Sequence, residues 1–223
     1  MKLFLIVLAI CSLYSCKKST EFDEISLNSP VVANDTFYFK AKFNGVTLNW
    51  IVPSKNNQSS YQFHSGASFG YDSLRSQCVE NYCHYLVAYS QIFMNVPSVK
   101  PQINIGFPMA TQQSSREEFL SWFTPGLKNY GLARSSTSAD IYNPAKNGVT
   151  VYYIDQNGKP WFSGYGPQQG SFFESISLTD LSGVNDSYLN KIWKARFSCK
   201  LYDGVGNWIN VEDGEIYNRI MVP

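Results

Sequence analysis

Histidine is nearly absent from this sequence: His64 and His84 are the only two among 223 residues. No H-E-x-x-H run and no cysteine–histidine grouping of zinc spacing occurs, so a transition-metal site is not expected. An excess of either charge is lacking as well. Lysine and arginine number 18 against 17 acidic residues, for a formal net charge of +1. A chain this close to neutral carries no electrostatic footprint for nucleic acid or for an anionic lipid surface, and nucleic acid is excluded as a partner. Also missing are any alternation of strand and helix patterns, which rules against a parallel α/β fold, any internal repeat, and any apolar run of the roughly 20 residues that a membrane-spanning helix needs.

The longest apolar stretch stands at the start. Lys2 supplies a positive charge, Leu3 to Ile10 are apolar, and Cys11, Ser12, Leu13 and Tyr14 extend the run. It is too short to span a bilayer and has the n-region and h-region of a secretory signal. Leu13-Tyr14-Ser15-Cys16 resembles a bacterial lipobox, with Tyr14 its least typical residue; the plainer alternative is an ordinary secretory signal. The lipobox implies cleavage before Cys16, a diacylglycerol on its thiol and acylation (palmitate or a similar chain) of its amine. Each buried CH₂ adds about 0.8 kcal/mol, and two chains already anchor a protein stably. Residues 1–15 are thus expected to be removed, and 16–34, polar and without period, to form a flexible tether. Lys17 follows the cysteine where an Asp would favour inner-membrane retention, so the outer membrane is expected, with the side it faces left open.

What the chain does have is aromatic residues, at 16 % of the sequence against 16 % charged. That bias suits pleated, half-buried strands. From Phe37 the pattern alternates strictly: Phe37, Phe39, Ala41 and Phe43 on one side, Tyr38, Lys40 and Lys42 on the other. Asn44-Gly45 then predicts a type I′ hairpin turn into Val46, Leu48 and Trp50. Residues 53–77, rich in Ser, Asn, Gln and Gly, read as a mixture of strand and long loop, while His84 to Val96 and Ile103 to Met109 suit further strands. Ser114 with Glu117 and Ser115 with Glu118 form two overlapping capping boxes. They predict one short helix carrying Phe119, Trp122 and Phe123 and ending at Pro125-Gly126. Later strands are expected at Val149 to Ile154, at Trp161-Phe162, and at Trp193, Ala195, Phe197, Cys199 and Leu201. Turns are predicted at Asn157-Gly158, Asp203-Gly204 and Asp213-Gly214. The whole reads as an antiparallel β-sandwich with one short helix, a single domain over 35–223.

With the hairpins placed, the chain resembles the uncharacterised lipoproteins common in Bacteroidota. The resemblance rests on Phe39, Ala41, Asn44, Gly45 and Trp50; on Glu117, Glu118, Phe119, Phe123 and Gly126; on Gly148 through Trp161, followed by Gly170, Ser171 and Phe173; and on Phe197 to Glu215. It implies an exported, β-rich lipoprotein. It carries over no catalytic residues, since the matching positions are those of turns and core.

Other motifs are weaker. Gly66-Ala67-Ser68-Phe69-Gly70 spells the nucleophile elbow of α/β-hydrolases, but that elbow needs a strand before it, a helix after it, and an acid and then a histidine downstream. Only His84 follows. Asp203, Asn207, Glu212 and Asp213 gather oxygen atoms near two turns without the spacing of a calcium loop. No glycosidase motif surrounds any carboxylate pair. No catalytic residue, metal or cofactor is therefore expected.

Two functions of different class remain. One is a non-catalytic binding module whose outward aromatics stack on glycan; Tyr38 and Tyr202, on the polar faces of their strands, and Trp208 are the candidates. The other is a structural subunit that packs on an envelope protein. Export also places the chain where disulfides persist. Cys78 and Cys83 enclose a hairpin-length loop, and opposed residues about 4.5 Å apart at Cα can be bridged. A Cys78–Cys83 disulfide is expected, with Cys199 a buried free thiol.

Overall fold

The computed structural model describes residues 36–53, 61–71, 84–94, 101–112, 115–135, 137–180 and 189–222. Cys16, the signal and tether segments, Cys78 and Cys83 lie outside the described residues.

Among the described residues eleven strands form one connected, all-antiparallel system. They are β1 Thr36–Phe43, β2 Val46–Pro53, β3 Tyr61–Tyr71, β4 His84–Met94, β5 Gln102–Thr111, β6 Gly126–Leu127, β7 Thr150–Ile154, β8 Pro160–Phe162, β9 Phe172–Asp180, β10 Leu189–Tyr202 and β11 Trp208–Val222. One sheet runs β2-β1-β11-β10-β9-β6, and the other β8-β7-β5-β4-β3. A single residue pair, Tyr202 opposite Phe162, joins them at a corner. The architecture is an antiparallel sandwich.

The branch has a local cause. One edge of β10 pairs with β9 only as far as Ser198, opposite Phe172, and with β8 only at Tyr202. Between them the Gln168 amide stands in for a strand. Its Nε2 donates to the Lys200 carbonyl at 2.7 Å and its Oε1 accepts from the Lys200 amide at 3.0 Å. The backbone polar groups of Lys200 are thus satisfied on this edge where no strand reaches them, as buried polar groups require.

The core follows the alternation in the sequence. Phe37, Phe39, Trp193, Ala195, Phe197 and Leu201 are fully buried, and each large side chain removed from water contributes about 1.5–3 kcal/mol. Phe107 of β5 meets Phe173 and Trp193 across the layers edge-on, at 6.0 and 5.9 Å between centroids. Such geometry adds about 0.5–1.5 kcal/mol per pair. At the other end of the sandwich Phe43 packs on Tyr153 at 4.5 Å. A buried polar link also crosses the layers, where Asn218 Nδ2 donates to Ser90 Oγ at 2.7 Å.

Helix α1 spans Arg116–Phe123. Of the two overlapping capping boxes, Ser115 is the N-cap, accepting from the Glu118 amide at 3.1 Å. Pro125 keeps Thr124 extended (ψ 148°) and so ends the helix. Phe119 and Phe123 are buried, and the Phe123 carbonyl accepts from Ser175 Oγ, which itself accepts from Trp193 Nε1 at 2.9 Å. The remaining α-helix among the described residues, α2 Ser138–Ile141, is a single turn. No helix among the described residues is long and apolar enough to cross a membrane.

One expectation is corrected. Asp213-Gly214 is not a turn: β11 runs straight through it as a bulge. Glu212 and Asp213 stand against the single residue Ser198 of β10, and Asp213 takes φ +52°. A left-handed residue serves a bulge as well as a turn. Gly214 is needed there because a Cβ would lie 2.8 Å from the Phe197 ring. Within 53–77, expected to mix strand and long loop, an eleven-residue strand, β3, pairs along its whole length with β4. Its Gly and Ser positions hid the alternation of Tyr61, Phe63, Ala67, Phe69 and Tyr71. The G-x-S-x-G run lies mid-strand, with Ser68 opposite Val87, so no strand-to-helix elbow forms.

Candidate functional site

The outer surface of the sandwich gathers aromatic side chains into one row. Directly paired residues of neighbouring strands point to the same side. Tyr152 pairs with Phe162, Phe162 with Tyr202, and Tyr202 with Trp208. In three of the four strands the next residue inward is buried, Val151 and Tyr153 beside Tyr152, Trp161 beside Phe162, and Leu201 beside Tyr202, and in the fourth Ile209 beside Trp208 is half-buried. The row therefore faces out, crosses β7, β8, β10 and β11, and at about 4.8 Å per strand is about 15 Å long. Tyr165, from the 3₁₀ turn Ser163–Tyr165, lies edge-on to Phe162 at 5.1 Å. Tyr165 is 59 % and Trp208 51 % exposed.

Two hairpin tips hold the row in place. Asp203 accepts through Oδ1 from the amides of Val205 and Asn207, both at 3.0 Å, and through Oδ2 from Asn207 Nδ2 and Lys159 Nζ at 2.6 and 2.7 Å. Lys159, in the β7–β8 tip, lies 4.2 Å over the Trp161 ring, and Trp161 Nε1 donates to Asp155 at 3.2 Å. The lysine beside Asp203, helped by these donors, holds its carboxyl well below the usual carboxylate range. Both of its oxygens are engaged, and Asp213 pairs instead with Lys42 at 2.7 Å. The oxygen atoms named for a calcium loop do not converge. Among the described residues no group of three or more His, Cys, Asp or Glu side chains could hold a metal ion.

Of the ligand-contacting residues expected from the sequence, the structure brings two together and separates the third. Tyr202 and Trp208 are neighbours in the row. Tyr38 pairs with Tyr217 on the same sheet, nine residues along β11 from Trp208. Its ring stacks on Tyr217 at 5.7 Å, its hydroxyl donates to Glu215, and Lys40 and Lys194 flank that carboxylate at 3.3 and 3.4 Å. Burial, then the hydrogen bond to Glu215 and its charge, push the Tyr38 hydroxyl above the ordinary tyrosine range. Tyr38 is committed to this cluster and is not an open platform.

Tyr202 is covered too. Its hydroxyl donates to the Pro167 carbonyl at 2.6 Å, and Gly166 backs so closely onto its ring that a Cβ there would lie 2.5 Å from Cζ. The open rings are Trp208 and Tyr165, with Phe162 and Tyr152 half-buried between and beside them. Tyr152 and Phe162 were legible as outward positions of their strands, next to Tyr153 and Trp161. Tyr165 sits in a turn and gives no periodic signal.

Cys199 is buried and free, as its strand register predicts. Burial pushes its thiol far above the usual range. Compared with models of protein families, with curated proteins and with solved structures, the chain matches none.

Proposed function

We propose that this protein is an envelope lipoprotein, anchored in the outer membrane through Cys16, that binds glycan without catalysis on the aromatic row. The observation that carries the reading is the position of the row. The tether of residues 16–34 joins the sandwich at Thr36, and β1 runs from there to Phe43, which pairs with Val211. Thr36 is thus roughly 23 Å from the hairpin end, where the tips at Asn44-Gly45, Asp155–Lys159 and Asp203–Asn207 and the open rings of Trp208 and Tyr165 lie. An anchor at one end and stacking surfaces at the other suit a module that presents its site away from the bilayer.

The test is a glycan array with the mature chain in detergent. Trp208→Ala and Tyr165→Ala should each weaken binding by at least about tenfold, as loss of a dominant contact does, while Tyr38→Ala should not. An array without a hit, or binding indifferent to both rings, sinks the reading. Replacing Cys16 with Ala should move the protein to the soluble fraction; persistent membrane attachment would refute the anchor.

A second reading, a subunit that packs on another envelope protein, is favoured by a different patch. Leu127 is 75 % exposed beside Phe172 and Ile176, at 42 and 39 %. Among the described residues the chain around β6 covers the outer edge of β9 from Phe173 to Ser175 and not beyond, and an open edge invites another strand. Leu127→Lys should then abolish co-purification of a partner and leave glycan binding intact.

A further inference from the structure

We infer that the aromatic row takes an acidic sugar, a uronic-acid oligosaccharide, whose carboxylate pairs with Lys200. The inference rests on the glycan reading and adds the ligand's charge to it.

The observation is an imbalance among the cations of β1 and β10. Lys40 and Lys194 share Glu215, Lys42 pairs with Asp213, Lys191 with Asp180 and Arg196 with Glu174. Lys200 is the exception: no carboxylate lies within ion-pair distance of its ammonium among the described residues. It is also the cation that adjoins the row. It precedes Tyr202 by two positions on the same outward face, and its Nζ lies 5.4 Å from the Trp208 ring centroid. Two of the nearby acids are taken: Asp203 is held by Lys159 and by donors of its own loop, and Asp155 by Trp161 and the backbone of its turn. Glu212, opposite Lys42 on β1, lies on the far side of Asn210 from Trp208. Opposite Lys200 on β11 is Asn210, which is neutral.

A pyranose stacked on Trp208 would therefore have one cation at its edge, with the carboxylate of Glu212 four residues further along β11. A neutral sugar leaves that cation unused. A uronate adds a charge-assisted hydrogen bond, the stronger kind, while its ring still stacks on the indole.

The experiment measures binding of the mature chain by calorimetry. Its probes are oligogalacturonate, oligoglucuronate and alginate fragments, and the same oligosaccharides after reduction of their carboxyl groups to alcohols. At least one acidic form should bind about tenfold or more tightly than its reduced form, in keeping with the worth of a hydrogen bond to a charged group. That preference should shrink at high salt. Lys200→Gln should remove the preference and leave binding of the reduced form within twofold, with the melting temperature unchanged. Trp208→Ala should lower binding of both forms. Equal affinity for acidic and reduced forms, or an acid preference that survives in Lys200→Gln, overturns the inference and leaves the glycan reading standing. If neither these probes nor a broad neutral array bind, both fall together.

Discussion

Replacing Gln168 with Ala tests the branch in the sandwich and the support of the candidate site at once. The Gln168 amide makes four hydrogen bonds: Nε2 to the carbonyls of Ser163 at 2.8 Å and Lys200 at 2.7 Å, and Oε1 from the Lys200 amide and from Ser171 Oγ, each at 3.0 Å. A protein hydrogen bond contributes about 0.5–1.5 kcal/mol net. Gln168 is half-buried, so water replaces some of these partners, and the expected loss is about 2–3 kcal/mol rather than the full sum. For a chain of this size that corresponds to a melting temperature about 5–10 °C lower. Urea unfolding should show a lower midpoint at unchanged slope, since the surface exposed on unfolding is the same. The local signature is faster hydrogen exchange at the Lys200 amide, which Gln168 alone covers on that edge. Because Ser163–Pro167 carries Tyr165 and lies over Tyr202, glycan affinity should fall with stability. A variant within about 0.5 kcal/mol of the wild type, with Lys200 still protected, would refute the claim that this amide replaces a strand.

Ser175→Ala leaves the Trp193 indole N–H and the Phe123 carbonyl buried without their shared partner; the loss should be about 2–4 kcal/mol, read by the urea midpoint, and a neutral result would show that water or a shift of α1 replaces the hydroxyl. Cys199 should resist thiol reagents in the native protein and react once it is denatured; rapid native labelling would contradict its place on the inward face of β10. Acid should unfold the domain through Asp140, Asp203 and Glu215. Asp140 is held at about 2, chiefly by the hydrogen bond from Lys146, Asp203 lower still by Lys159, and burial of Glu215 is outweighed by Tyr38 and its two lysines, so that its carboxyl is lowered. Because these folded-state values lie below the unfolded ones, the stabilisation is complete above about pH 4–5 and is lost as pH falls through the folded values. A melting temperature flat between pH 5 and 2 would contradict this.

Much of the fold was legible because it rests on short-range rules. The alternation from Trp193 to Leu201, the Asn44-Gly45 turn and the Ser115 cap each depend on a few neighbouring residues, and the structure keeps all three. Strand β3 was obscured because Gly and Ser carry little hydrophobic signal; its place is set by β4, which pairs it throughout. Asp213-Gly214 has the sequence of a turn, but a left-handed residue fits both a turn and a bulge. What distinguishes them is pairing with β1 on one side and β10 on the other.

The candidate site divides the same way. The sequence by itself determined that Tyr38 and Tyr202 point outward, since side-chain direction in a strand follows from a period of two. Whether an outward ring is open depends on groups remote in the chain. Glu215 and Tyr217 occupy Tyr38, and Gly166 and Pro167 cover Tyr202. Only the tertiary structure could set Tyr152, Phe162, Tyr202 and Trp208 in one row, because their alignment is a matter of register among four strands. Register is decided by which faces bury together and where bulges fall, and neither is a property of any local segment.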